Sequence, residues 1–179
     1  MTYSALKAYL EATDPAGINP GFLAYLASLT EIAKVAPAIA RDIVNELRDQ
    51  RNNLKLIASE NYSSLACQLA MGNLLTDKYA EGFPFHRFYA GCDNVDQVES
   101  YAAAEACRLF GAEHAYVQPH SGADANLVAF WGILNARVKT PTLEAWGVKD
   151  PTNMAREDWN KLRSLLGNQR LLGMDYYSG

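Results

Sequence analysis

Cysteine is scarce in this sequence: Cys67, Cys92 and Cys107 are the three in 179 residues. The count is odd, the three are far apart and none belongs to a C-x-x-C pair, which argues against a disulfide framework or a thiolate zinc site and for a reducing, cytoplasmic setting. Long apolar runs are missing too. No stretch approaches the roughly 20 residues that cross a bilayer, and Met1-Thr2-Tyr3-Ser4 lacks the basic head and apolar run of a secretory signal, so no membrane partner is expected. Positive charge is not in excess: 16 lysines and arginines face 20 aspartates and glutamates, a formal net charge of −4. The usual electrostatic argument for nucleic acid is thereby removed. His86, His114 and His120 show no metal-ligand spacing, so no metal is expected. Neither a Walker motif nor a dinucleotide fingerprint is present.

What is there is ordinary for a soluble globular chain: 49% hydrophobic and 20% charged residues. Such a composition excludes a disordered or fibrous protein, and the length favours one domain, with or without an appended arm. From Ser4 to about Asn53 the pattern is helical. Leu6, Tyr9 and Leu10 form one apolar face, Phe22, Tyr25, Leu26 and Leu29 another, and Ile39, Ile43, Val44 and Leu47 a third. Pro37 either breaks this stretch or opens a helix from its first turn. Residues 1–53 are therefore expected as a helical amino-terminal arm that packs on its own core or on a partner subunit.

Residues 54–94 are less regular. The polar, turn-forming Ser59-Glu60-Asn61 follows Leu56-Ile57-Ala58, and a helix is expected from Ser63 or Ser64 through Leu75. The next segment, Lys78 to Gly91, carries five aromatic residues, Tyr79, Phe83, Phe85, Phe88 and Tyr89, punctuated by Gly82, Pro84 and Gly91. Exposing that much ring surface to water is unfavourable, so the loop either lies in an interface or walls a pocket.

From Val95 the pattern alternates. Asn94 with Gln97 suggests a capped helix that ends at Gly111 in a left-handed conformation. Ala115-Tyr116-Val117 predicts a strand, Pro119 to Gly122 a turn, and Ala125 to Leu134 a buried helix. A polar segment with Pro141 and Pro151 follows, then a helix over 156–166 and a strand at Leu171 to Met174. Helix, strand, helix, strand predicts an α/β layer with parallel strands. Two strands are too few to stand alone, and a stop at Ser178-Gly179, just past a strand, suggests a cut end.

Four places can carry chemistry. Backbone N–H groups at the helix start after Ser121 and Gly122 suit a phosphate or carboxylate; alternatively, Ser121 only caps the helix while Asp124 satisfies its dipole. Glu81, between Tyr79 and Phe83, is either an acid whose pKa is raised by surrounding rings for proton transfer, or a solvated loop acid. Arg87 either grips an anion or lies on an aromatic face. Ser59 and Glu60 offer a catalytic pair near a strand end; alternatively, Ser59 is simply a turn residue.

Five blocks together resemble one family. Leu56-Ile57-Ala58-Ser59-Glu60-Asn61-Tyr62, Lys78-Tyr79-Ala80-Glu81-Gly82, Arg87-Phe88-Tyr89-Ala90-Gly91-Cys92, Val117-Gln118-Pro119-His120-Ser121-Gly122 and Leu172-Gly173-Met174-Asp175 look like successive signatures of serine hydroxymethyltransferase. The resemblance implies a pyridoxal-phosphate-dependent transferase of aspartate-aminotransferase-like fold type I. It also implies reversible conversion of serine and tetrahydrofolate to glycine and methylene-tetrahydrofolate in one-carbon metabolism. On this resemblance residues 54–179 are the start of the large cofactor-binding domain, with an insertion at about 137–169.

By position, Ser121 and Gly122 match the cofactor-phosphate turn and Tyr79 a tyrosine reaching the neighbouring subunit's phosphate. Glu81 matches the acid that handles protons at the substrate hydroxyl and folate. Ser59 matches a contact to the substrate carboxylate, and Tyr89 a ring beside the substrate across a homodimer interface. Ala123, Asp124 and Phe88 depart from the family's common serine, glutamine and tyrosine. None of the seven lysines has the sequence context of the family's cofactor-holding lysine. The chain alone is therefore expected to be inactive, either as the amino-terminal portion of the enzyme or as a non-catalytic module that pairs with a full-length subunit.

Overall fold

The computed structural model describes residues 2–175 and Tyr177. Two compact units are distinguished, residues 1–78 and 79–179.

In the first unit, α1 (Thr2–Ala12), α2 (Pro20–Val35) and α3 (Pro37–Asn52) pack in succession, and a short α4 (Leu65–Met71) follows. Local chemistry explains the boundaries. Pro20 and Pro37 sit in the first turns of α2 and α3, where a missing N–H costs nothing, so Pro37 opens a helix. Asn19 caps α2 by accepting from Phe22 N–H at 3.0 Å, and Ser64 caps α4 by accepting from Cys67 N–H at 3.3 Å. The linker between α1 and α2 is pinned where Asn19 N–H donates to the Tyr9 hydroxyl at 2.8 Å and the Tyr9 and Phe22 rings meet edge to face at 4.9 Å. Leu29, Thr30 and Ala40 are buried, and Thr30 returns its hydroxyl to Leu26 O at 2.7 Å. Gly21 lets α4 approach α2: a Cβ there would lie 3.0 Å from Leu65 Cδ2.

The second unit begins with a hairpin of β1 (Gly82–Phe83) and β2 (His86–Arg87), antiparallel, Gly82 opposite Arg87 and Phe83 opposite His86. The aromatic loop thus contains a short hairpin with a two-residue turn, Pro84-Phe85, Phe85 at φ 64°. Helix α5 (Asp93–Phe110) starts one residue before the expected Asn94 cap. No side chain caps it, and Asp93 and Asp96 in its first turn complement the dipole instead. Gly111 ends it at φ 63°, the left-handed conformation expected of that residue.

Helix α6 (Gly122–Leu134) runs through one π turn (Asn135–Lys139) into α7 (Thr140–Ala145). The first part of the polar segment that contains Pro141 is therefore helical. Proline cannot donate to the carbonyl four residues back, and the wider turn, in which Thr140 N–H reaches Asn135 O, accommodates it. Helix α8 (Arg156–Gly167) forms where expected and packs on the π turn, with Leu143 and Leu162 buried in this part of the unit.

The expected strands at 115–117 and 171–174 do not form, so no parallel α/β layer exists among the described residues; the hairpin is their only sheet. A strand is stable only with a paired neighbour, and neither segment has one. Consistent with this, Leu172 is fully exposed, and α6, apolar on all sides, buries none of its residues. Ser178 and Gly179 lie outside the described residues.

Candidate active site

The second unit brings four of the sequence-designated site elements under one set of constraints. Its centre is Arg87, whose side chain is 4% exposed. Nε pairs with Asp96 Oδ1 at 2.7 Å and Nη2 with Glu99 Oε2 at 2.6 Å, while Nη1 donates to Ala80 O at 2.7 Å and Gly82 O at 3.1 Å. Asp96 and Glu99 lie three apart on α5, hence on one helix face. Arg87 thus grips this chain's own carboxylates and clamps the backbone on both sides of Glu81. The paired guanidinium holds Asp96 below the ordinary carboxylate value, helped by Phe85 N–H and opposed by burial. That N–H also braces the left-handed Phe85 turn, a conformation that is costly for a bulky residue.

Glu81 projects from the clamped segment. It is exposed, so the enclosure by rings considered from sequence is not formed among the described residues. Its Oε2 accepts from the Tyr89 hydroxyl at 3.2 Å, and its backbone O accepts from Phe88 N–H at 3.0 Å. The carboxylate raises the Tyr89 pKa, first through that hydrogen bond and then through its charge, with burial adding. Tyr79 stands beside Tyr89, ring centroids 6.2 Å apart and planes at 48°. Below both, the buried Cys92 thiol lies 3.5 Å from Tyr79 O and 3.4 Å from Tyr89 O. An acid with one free oxygen, two tyrosines and a fixed backbone can move a proton at, and stack against, a small polar substrate.

Ser121 caps α6, its Oγ accepting from Asp124 N–H at 3.1 Å. The capping alternative is therefore realised, and it leaves the anion alternative open. The Gly122 and Ala123 amides are the first two of the helix and have no intrahelical carbonyl, and a Cβ on Gly122 would meet nothing within 4 Å. The hydroxyl hydrogen of Ser121 is still free to donate. These groups fit a phosphate; Asp124, also in the first turn, opposes it by charge.

Ser59, in the first unit, occupies the turn closed by Glu60 N–H to Ile57 O at 3.0 Å and is exposed. Among the described residues no cluster of three or more His, Cys, Asp or Glu could hold a metal, and no helix is long and apolar enough to cross a membrane. Sequence reading missed Asp96, Glu99, Gln118 and Cys92 as site-shaping residues. The available signals were the i, i+3 acidic pair shortly after Arg87 and the places of Cys92 and Gln118 inside the motif blocks.

Comparison with known proteins agrees with the motif reading. The family model for serine hydroxymethyltransferase matches residues 32–145. A serine hydroxymethyltransferase of Treponema pallidum is 64% identical over 179 residues, covering 100% of this chain and 31% of that protein. One from Mycolicibacterium smegmatis is 58% identical over 156 residues, 87% of this chain and 32% of that protein. One from Chlamydia trachomatis is 47% identical over 177 residues, 98% of this chain and 36% of that protein. The chain belongs to the serine hydroxymethyltransferase family, and it spans about a third of the length of these relatives. Because the Treponema match takes in the whole chain, residues 1–53 and 137–169 are shared with that relative.

Proposed function

We propose that this chain is the amino-terminal third of a cytoplasmic, homodimeric, pyridoxal-phosphate-dependent serine hydroxymethyltransferase of fold type I. The assembled enzyme passes the hydroxymethyl carbon of serine to tetrahydrofolate. The single observation that carries this reading is 64% identity along all 179 residues to a serine hydroxymethyltransferase. The geometry supports it. On this reading residues 1–53 form the arm and 54–179 begin the large domain, with 137–169 as an elaboration of it.

Bound pyridoxal phosphate supplies the electron sink for bonds at the amino acid's α-carbon. This chain's residues do the rest of their share by binding and proton handling. Ser121, Gly122 and the Ala123 amide hold the phosphate, and Tyr79 reaches the phosphate bound by the partner. Glu81 holds or moves the proton at the serine hydroxyl, with Tyr89 hydrogen-bonded to it and stacked beside the substrate. Ser59 contacts the substrate carboxylate. The cofactor-holding lysine comes from the remaining two-thirds, so the chain alone is inactive.

The test is complementation. The chain is co-expressed with the carboxy-terminal two-thirds of the Treponema relative, and serine cleavage is assayed with pyridoxal phosphate and tetrahydrofolate. Restored cleavage supports the reading. A mixed complex that forms without activity contradicts it and favours a non-catalytic pairing module.

A further inference from the structure

The structure assigns to Gln118 the role of a positioning residue that ties the Glu81 hairpin to the turn at Ser121. This inference rests on the function proposed above.

Gln118 precedes Ser121 by three residues, and its side chain reaches back across 36 positions of sequence to the hairpin. Its Nε2 donates to Gly82 O at 2.8 Å and to Glu99 Oε1 at 2.7 Å, while its Oε1 accepts from the Tyr116 hydroxyl at 2.9 Å. An amide has two N–H donors, and both are used here on fixed acceptors. The acceptors are not incidental. Gly82 is the residue after Glu81 and shares its carbonyl with Arg87 Nη1 at 3.1 Å; Glu99 gives its other oxygen to Arg87 Nη2. One side chain therefore fixes the extended segment leading to the turn at Ser121 against the backbone that carries the acid. The Phe83 and Tyr116 rings, 6.3 Å apart, lie along the same junction.

Glutamine suits this geometry because its amide both donates and accepts. Glutamate at 118 would set a carboxylate against Glu99 and a carbonyl, and methionine of similar length would take away the donor to Glu99 Oε1 and leave Gly82 O to Arg87 alone. Arg87 alone would still clamp Gly82, so losing Gln118 loosens the hairpin without dissolving it.

Two measurements test this. In the 179-residue chain, Tyr89 is followed by NMR titration of ring-labelled tyrosine, its signal assigned through Tyr89→Phe. Gln118→Met is expected to move the Tyr89 midpoint back toward its ordinary value, because Glu81 is held less firmly. In the enzyme reconstituted with the Treponema carboxy-terminal part, Gln118→Met is expected to lower kcat about ten- to hundredfold while the KM for serine changes less than about twofold. If Gln118→Met does not fold, Tyr116→Phe, which removes only the hydroxyl that orients the amide, decides through a smaller change of the same sign in both readouts. An unmoved Tyr89 midpoint together with wild-type kcat in a folded variant overturns the inference. Should the unsubstituted reconstituted enzyme be inactive, the proposed function fails while the Tyr89 titration still decides the role of Gln118 in the hairpin.

Discussion

The phenol of Tyr89 donates to Oε2 of Glu81 across 3.2 Å, joining two residues eight apart on opposite sides of the hairpin. The pair is held from beneath: Arg87 clamps the backbone beside Glu81, and the Cys92 thiol lies against Tyr89 O. Acid and phenol are thus placed relative to each other before any substrate arrives.

That bond has a signature at alkaline pH. The Tyr89 pKa is raised above its ordinary 10.0, chiefly by the hydrogen bond to Glu81. A raised folded value means the contribution to stability is present below 10.0 and is lost as pH rises through the higher folded value. Glu81→Gln is expected to lower the Tyr89 midpoint toward 10.0, read by NMR titration of labelled tyrosine.

The acid side is governed by Asp96. Its pKa lies below its ordinary 3.8, first because of the Arg87 hydrogen bond. A depressed folded value means its stabilisation is complete above 3.8 and disappears as pH falls through the folded value. Asp96→Asn is expected to lower Tm by about 5 °C at neutral pH. The gap between variant and parent should close at pH below 3.8, measured by circular dichroism.

Gly82 is a steric requirement. At φ 108° a Cβ would stand 2.3 Å from His86 O and 3.1 Å from Arg87 Cα, both backbone atoms of the facing strand. Gly82→Ala is expected to cost about 3 kcal/mol or more by denaturant unfolding. Gly111 also has positive φ, yet a Cβ there meets nothing within 4 Å, so Gly111→Ala should cost only about 1 kcal/mol.

Much of the helical scaffold was legible because its signals are local. Pro37 in a first turn, Ser121 as a cap and Gly111 as a left-handed terminus each act through neighbouring backbone groups. The segments 115–117 and 171–174 misled for the opposite reason: apolar composition can announce a strand, but pairing requires a neighbour that local sequence does not contain. The helix over 140–145 was not legible, because it depends on a π turn that accommodates Pro141. At the site, motif resemblance singled out Glu81, Tyr89 and Ser121, whereas the Arg87–Asp96–Glu99–Gln118 network depends on how a hairpin, a helix and an extended strand-like segment converge.

Asp124 is the unfavourable neighbour of the proposed phosphate turn. Its charge in the first turn of α6 favours the helix dipole but opposes a second anion. In the reconstituted enzyme, Asp124→Asn is expected to tighten pyridoxal phosphate binding about three- to tenfold, followed by the cofactor's absorbance, with a greater gain at low ionic strength. In the isolated chain the same change should lower Tm slightly.

The most direct test of the account is the rate of tetrahydrofolate-dependent serine cleavage by the reconstituted enzyme carrying Glu81→Gln. A loss of more than about 100-fold in kcat, with cofactor binding retained, is the expected result for an acid that handles the substrate proton. Wild-type kcat in a folded, cofactor-loaded Glu81→Gln enzyme would contradict it.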